Sequence, residues 1–196
     1  MVTATKTVIE IPRIDVREME ITLIGDSPLI SHKWSEKAKK MMLDKQMKKA
    51  ASAKDAKDPE QDYKDSLYEV PGGGYGFPSV AFKAAAVSAC RFSDNIKMTE
   101  ARGAFHVLGE LVAVEGTPQM REDMVRVGMG TADLRYRGEF PEWRCVLRVR
   151  YNSNALSPEQ IINLFNLAGF GVGVGEWRPE ANGSYGMFHV ATGGGE

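Results

Sequence analysis

Cysteine is scarce in this sequence: Cys90 and Cys145 are the only two. Two thiols build no disulfide framework. With His32, His106 and His189 scattered along the chain, they build no tetrahedral metal site either. Both thiols read as small buried hydrophobes in a reducing cytosol. Long apolar runs are also missing. No stretch approaches the ~18 residues that span a bilayer, and the N-terminus lacks an apolar signal-like region. A cytoplasmic chain that stays off membranes is expected. An excess of either charge is missing too, since 25 Lys and Arg face 26 Asp and Glu for a net charge of −1. Any nucleic-acid site must therefore be a local concentration of Arg and Lys. Catalytic sets are absent from the pattern: there is no serine elbow, no His-rich cluster and no Cys/His pair. Asp26, His32, Asp94 and His106 could meet only through folding. No enzyme activity and no cofactor are expected.

What is present is an ordinary globular composition, 43% hydrophobic and 26% charged. Residues 1–196 read as one domain with a helical, charged insertion at 35–66. Val8 to Pro12 and Arg17 to Ile24 read as extended. In the second piece Met19, Ile21 and Leu23 alternate with polar residues, the mark of a half-buried strand. A helix is predicted from Ser35, its N-cap, to about Ala53, with lysines outward and Met41, Met42 and Met47 as an apolar stripe. A charged excursion around Pro59 follows. Ser79 can cap a second, alanine-rich helix to about Phe92. Strands follow at 105–108, 110–115, 124–127 and 143–151. Ser157-Pro158 opens a helix ending at Ala168-Gly169, and Met187 to Ala191 closes the chain as a strand. The order predicts an α+β fold with a largely antiparallel sheet and helices on one face.

The segment from Trp143 to Tyr151 is the most informative. A period of two puts Trp143, Cys145, Leu147, Val149 and Tyr151 on one face, and Arg144, Val146, Arg148 and Arg150 on the other. Three arginines on one sheet face suit phosphates and base stacking. They equally suit a solvated face paired with acids such as Glu139 and Glu142. Between 121 and 150 seven arginines stand against five acids. There Arg135, Tyr136 and Arg137 could lie on a hairpin or loop that clasps a strand of nucleic acid, or on an ordinary surface hairpin. The glycines from 169 to 175 follow a helix and lead into Glu176-Trp177-Arg178-Pro179. A dinucleotide fingerprint needs the opposite context, so that reading is rejected.

Two of these segments resemble the RAMP superfamily, the RNA-recognition-motif-like (RRM-like) backbone subunits of CRISPR effector complexes. The family's "IPGSSLKGALR" turn and helix is similar to Tyr75 through Ala85, with Lys83 and then Arg91. Its "GIGxxRxxGxGxF" loop is similar to Gly173 through Arg178, then Gly183, Tyr185, Gly186 and Phe188. The strand Ile21 to Gly25 also fits. Ala84 stands where the family prefers Gly, Ala181-Asn182 lengthens the loop, and no cleaving aspartate aligns beyond Asp26 as a loose candidate. The resemblance implies an RRM/ferredoxin-like domain that binds single-stranded DNA or RNA and self-associates into an oligomer or filament along it, without cleavage. It is similar to a stand-alone or phage-borne relative, which would act in the host cytoplasm. In that reading Lys83 and Arg91 line a groove at the helix start, Trp177 and Arg178 contact the strand, Arg135 to Arg137 clasp it, and Arg144, Arg148 and Arg150 form the basic face. The alternative is a virion or scaffold subunit using the same surfaces for protein contacts.

Overall fold

The computed structural model describes residues 13–49, 57–127 and 130–192. The expected strand at Val8–Pro12, residues 50–56 of the insertion and residues 128–129 lie outside them. In chain order the elements are β1 (Val16–Gly25), β2 (Leu29–Ser31), α1 (Glu36–Gln46), α2 (Pro59–Asp65), β3 (Tyr68–Glu69), β4 (Tyr75–Pro78) and α3 (Ser79–Ala89). Then follow α4 (Met98–Ala104), β5 (Phe105–Val107), β6 (Leu111–Glu115), β7 (Gln119–Val127), β8 (Thr131–Phe140), β9 (Arg144–Asn152), α5 (Pro158–Gly171) and β10 (Phe188–Val190).

The large sheet runs β10-β1-β9-β6-β4-β3, with β5 also on β9, and every pairing is antiparallel. Its middle is β1-α3-β6-β9-α5-β10 in the spatial order fourth, first, third, second, with α3 and α5 packed on each other and on one face. This is the expected RRM/ferredoxin-like α+β arrangement. A second sheet, β2-β8-β7, carries a long two-stranded ribbon.

Alternation explains the layering. Cys145, Leu147 and Val149 of β9 and Leu23 of β1 are fully buried against Phe82 and Ala86 of α3 and Ile161, Leu164 and Phe165 of α5. The outward residues of the same strands remain exposed. Small residues let the layers approach: a Cβ on Gly169 of α5 would collide with the carbonyl of Phe188 in β10. Ser157 closes a full capping box with Gln160, and Pro158 occupies the first turn.

Three local expectations are corrected, and one helix went unread. Helix α1 stops at Gln46, short of the expected end near Ala53. Ser79 is the first residue of α3 rather than its cap, and its hydroxyl donates to the Gly109 carbonyl, so it ties the helix start to the β5–β6 turn. Helix α5 continues past Gly169 to Gly171, because backbone packed against β10 offsets the poor helix propensity of glycine. Helix α4 went unread, since MTEARGA has no side-chain cap and a glycine near its end.

Two measurements check this packing. Gly169→Ala, which would gain roughly 1 kcal/mol in an exposed helix, is expected instead to cost about 1–3 kcal/mol in urea unfolding because of the backbone collision. Burial pushes the Cys145 thiol up to about 12 and raises that of Cys90. Both should therefore stay unreactive to a thiol reagent at about pH 8 until the chain is unfolded.

Candidate nucleic-acid interface

The structure distributes the predicted site residues over three places. The first is the outer face of the large sheet. Arg144, Arg148 and Arg150 point outward there with side chains 56%, 65% and 53% exposed. Strand pairing puts acids opposite them: Glu18 faces Arg150, Glu20 faces Arg148 and Glu115 faces Arg144. Glu18 holds Arg150 at 2.7 Å and lies 3.6 Å from Arg148, while Glu115 is 3.8 Å from Arg144. The partners are thus not the foreseen Glu139 and Glu142. Glu139 is bound to Arg121 at 2.9 Å. Lys83 joins this face rather than the groove at the helix start. Its Nζ donates to the Arg102 carbonyl and to Nδ1 of His106, both at 3.0 Å.

The second place is the glycine loop after α5. Gly173, Gly175 and Gly186 have positive φ, and a Cβ at Gly175 would meet the Ile30 carbonyl. The Glu176 amide donates to that same carbonyl at 3.1 Å, and the Gly186 amide donates to the Pro28 carbonyl at 2.8 Å. The loop is therefore stitched onto β2. Between it and the first turns of α3 lies a groove of about 370 Å³, lined by Val80, Ala81, Ala84, Val174 and His32. On its rim Arg178 bonds Glu180 at 3.2 Å and the Gly175 carbonyl at 3.3 Å. Arg91 binds the same Glu180 and lies over the ring of Phe92. Trp177, itself at positive φ, is 43% exposed.

The third place is the ribbon. Arg135 bonds Asp133 at 2.9 Å, and Tyr136 stands opposite Glu122, whose hydrogen bond raises its hydroxyl above the usual range. Arg137 sits differently from both. Its side chain is only 6% exposed, with Nη1 on Asp123 at 3.2 Å and Nη2 4.0 Å from Glu176. Arg121 stands directly across from it, a repulsive register that Asp123 relieves by bonding both guanidinium groups. Arg137 therefore fastens the ribbon to the glycine loop instead of clasping a ligand.

Sequence reasoning missed His32 and Glu176 as a pair, which are 144 positions apart with Nδ1 and Oε1 at 3.1 Å. No spacing signal could have joined them. The His32 hydrogen bond, with Arg137 behind it, holds the Glu176 carboxyl below its usual value against the opposing effect of burial. Among the described residues no group of three His, Cys, Asp or Glu side chains could hold a metal.

No family model matches the sequence, and no curated protein matches it. Solved structures do match. The crystal structure of Cmr6 from Pyrococcus furiosus superposes with a TM-score of 0.50 at 10% identity, over 90% of this chain and 98% of that one. The chain shares its fold with Cmr6. A second neighbour belongs to the Type III-B Cmr-beta complex bound to cognate target RNA. It gives a TM-score of 0.44 at 8% identity, over 88% of this chain and 59% of that chain. At 10% identity the likeness to Cmr6 is one of fold.

Removing Arg137 takes one partner from each of two carboxylates, while Asp123 keeps Arg121 and Glu176 keeps His32. Arg137→Met is expected to lose about 1–3 kcal/mol of stability in urea, mainly through the charged hydrogen bond to Asp123. Because Glu176 is depressed in the fold, its contribution is complete above the ordinary carboxylate value and is lost as the pH falls through its lower folded value. Glu176→Gln should flatten that part of the acid-unfolding profile below about pH 4.5.

Proposed function

We propose that this protein binds single-stranded nucleic acid through the outer face of its large sheet and works, without catalysis, as a repeating cytoplasmic subunit along the strand. The observation that carries the reading is the row of Arg144, Arg148 and Arg150 on a sheet face left exposed between Glu18, Glu20 and Glu115. Arg144 lies roughly 13 Å from Arg148, beyond Val146, and Arg148 and Arg150 stand about 7 Å apart along the strand. The shorter spacing is close to the reach between successive phosphates of an extended strand. Their planes can also stack on bases. The ion pairs they make are exposed and of the kind worth about 0–1 kcal/mol, so a polyanion competes with them readily. Trp177 and Arg178 on the glycine loop, with Arg91 beside them, form a second contact, and Arg135 with Tyr136 on the ribbon a third.

A structural-assembly reading draws on a different observation, the exposed rings of Phe92 and Phe170 (52% and 78%) near the end of α5. Exposed aromatics in adjoining positions suit contact with another protein. Negative-stain images with and without single strands separate the two readings: assembly that needs no nucleic acid favours the second.

Labelled single-stranded DNA and RNA should both show salt-dependent anisotropy changes at low ionic strength. Replacing Arg144, Arg148 and Arg150 together by Ala should weaken binding at least about ten-fold. It should also reduce the log–log salt slope by roughly 2, since each phosphate neutralised on a single strand accounts for about 0.7. Absence of any salt-dependent binding by the unaltered protein sinks the proposal.

A further inference from the structure

One corner of the outer face gathers groups that the arginine row alone does not include. His106 of β5 stands directly opposite Arg150 of β9 and faces outward with it. Lys83 comes in from α3 and points its ammonium at the same imidazole, 3.0 Å from Nδ1, while also bonding the Arg102 carbonyl of α4. Among the described residues Lys83 makes no ion pair with a carboxylate. Its polar partners are a carbonyl and a neutral nitrogen. The anions near the corner come from β1: Glu18, shared by Arg148 and Arg150, and Glu20, opposite Arg148.

We propose that Lys83, His106 and Arg150 form a phosphate-binding site for a nucleic-acid strand, and that Glu18 is an internal anion occupying the arginines until a phosphate displaces it. The proposal rests on the nucleic-acid reading above and adds His106 and Glu18 to it. Three donors of different reach, an ammonium, an imidazole and a guanidinium, converge from α3, β5 and β9 on one exposed corner. Such a set matches the several oxygens of a phosphate group better than it matches one carboxylate. Glu18 bonds both Nε and Nη2 of Arg150, the edge that a phosphate would take. Its removal frees that edge without touching the core.

The site also predicts a dependence on pH. Burial first, then the charges of Lys83 and Arg150, hold the His106 imidazole below its ordinary value, so it is neutral in the free protein near neutral pH. A phosphate placed among the three groups reverses that balance and favours the imidazolium. Binding then takes up a proton and tightens as the pH falls.

The test uses the full chain with labelled oligothymidylate and oligouridylate, and with inorganic tripolyphosphate followed by the His106 ring signals in NMR. Affinity should rise about three- to ten-fold from about pH 8 to about pH 6. His106→Gln should lose this rise, and Glu18→Gln should bind about three-fold tighter than the unaltered protein. Oligonucleotide binding that is equal in Glu18→Gln and the unaltered protein, and flat with pH, overturns the proposal while leaving the nucleic-acid reading intact. Tripolyphosphate that shifts His106 and binds tighter to Glu18→Gln, with no oligonucleotide binding, keeps the anion site and overturns the nucleic-acid reading instead. Neither probe moving His106 overturns the site.

Discussion

Strand β9 is the constraint on which the rest of the molecule depends. It pairs with β1 along nine residues on one edge and with β5 and β6 on the other, so it joins both halves of the large sheet. Its alternation leaves a single acceptable register. A slip of one residue would carry Arg144, Arg148 and Arg150 into the space now filled by Cys145, Leu147 and Val149. Burying three unpaired guanidinium groups costs far more than the 5–15 kcal/mol by which a domain is usually stable. The pattern that makes the outer face basic is thus the same pattern that makes the core.

Two kinds of ion pair do different work around that sheet. On the outer face Glu18 and Glu115 meet the arginines in water, where such pairs contribute little and exchange easily. Between the ribbon and the glycine loop, Arg137 is buried against Asp123 and lies 4.0 Å from the part-exposed Glu176. His32 extends this linked group to the end of β2, which also anchors the glycine loop through Ile30. The groove beside α3 takes its shape from these connections. Exchangeable charges therefore stand where a ligand is proposed to bind, and fixed charges where the frame must hold.

Much of the frame was legible from short-range pattern. The two faces of β9, the helix start at Ser157-Pro158 and the half-buried strand of β1 each depend on neighbours within a few positions, and each forms as read. The ribbon was harder, because both faces of β7 carry charge and on β8 Asp133, Arg135, Arg137 and Glu139 share one face, which reads as the solvent side. Arg137 looked like an outward residue for the same reason. Its burial against Asp123, with Glu176 4.0 Å away from the far end of the chain, is a tertiary outcome.

The amino-acid sequence by itself determined which residues of β1 and β9 face inward, since a period of two is a property of the backbone. It also determined the glycine positions at which the loop after α5 can turn with positive φ. Only the tertiary structure decided which acid meets which arginine, that Lys83 turns to His106 and away from the groove, and that Arg137 locks the ribbon down. Those outcomes depend on interactions between positions up to 132 residues apart. Such pairings are chosen by strand order and packing, which no local spacing encodes.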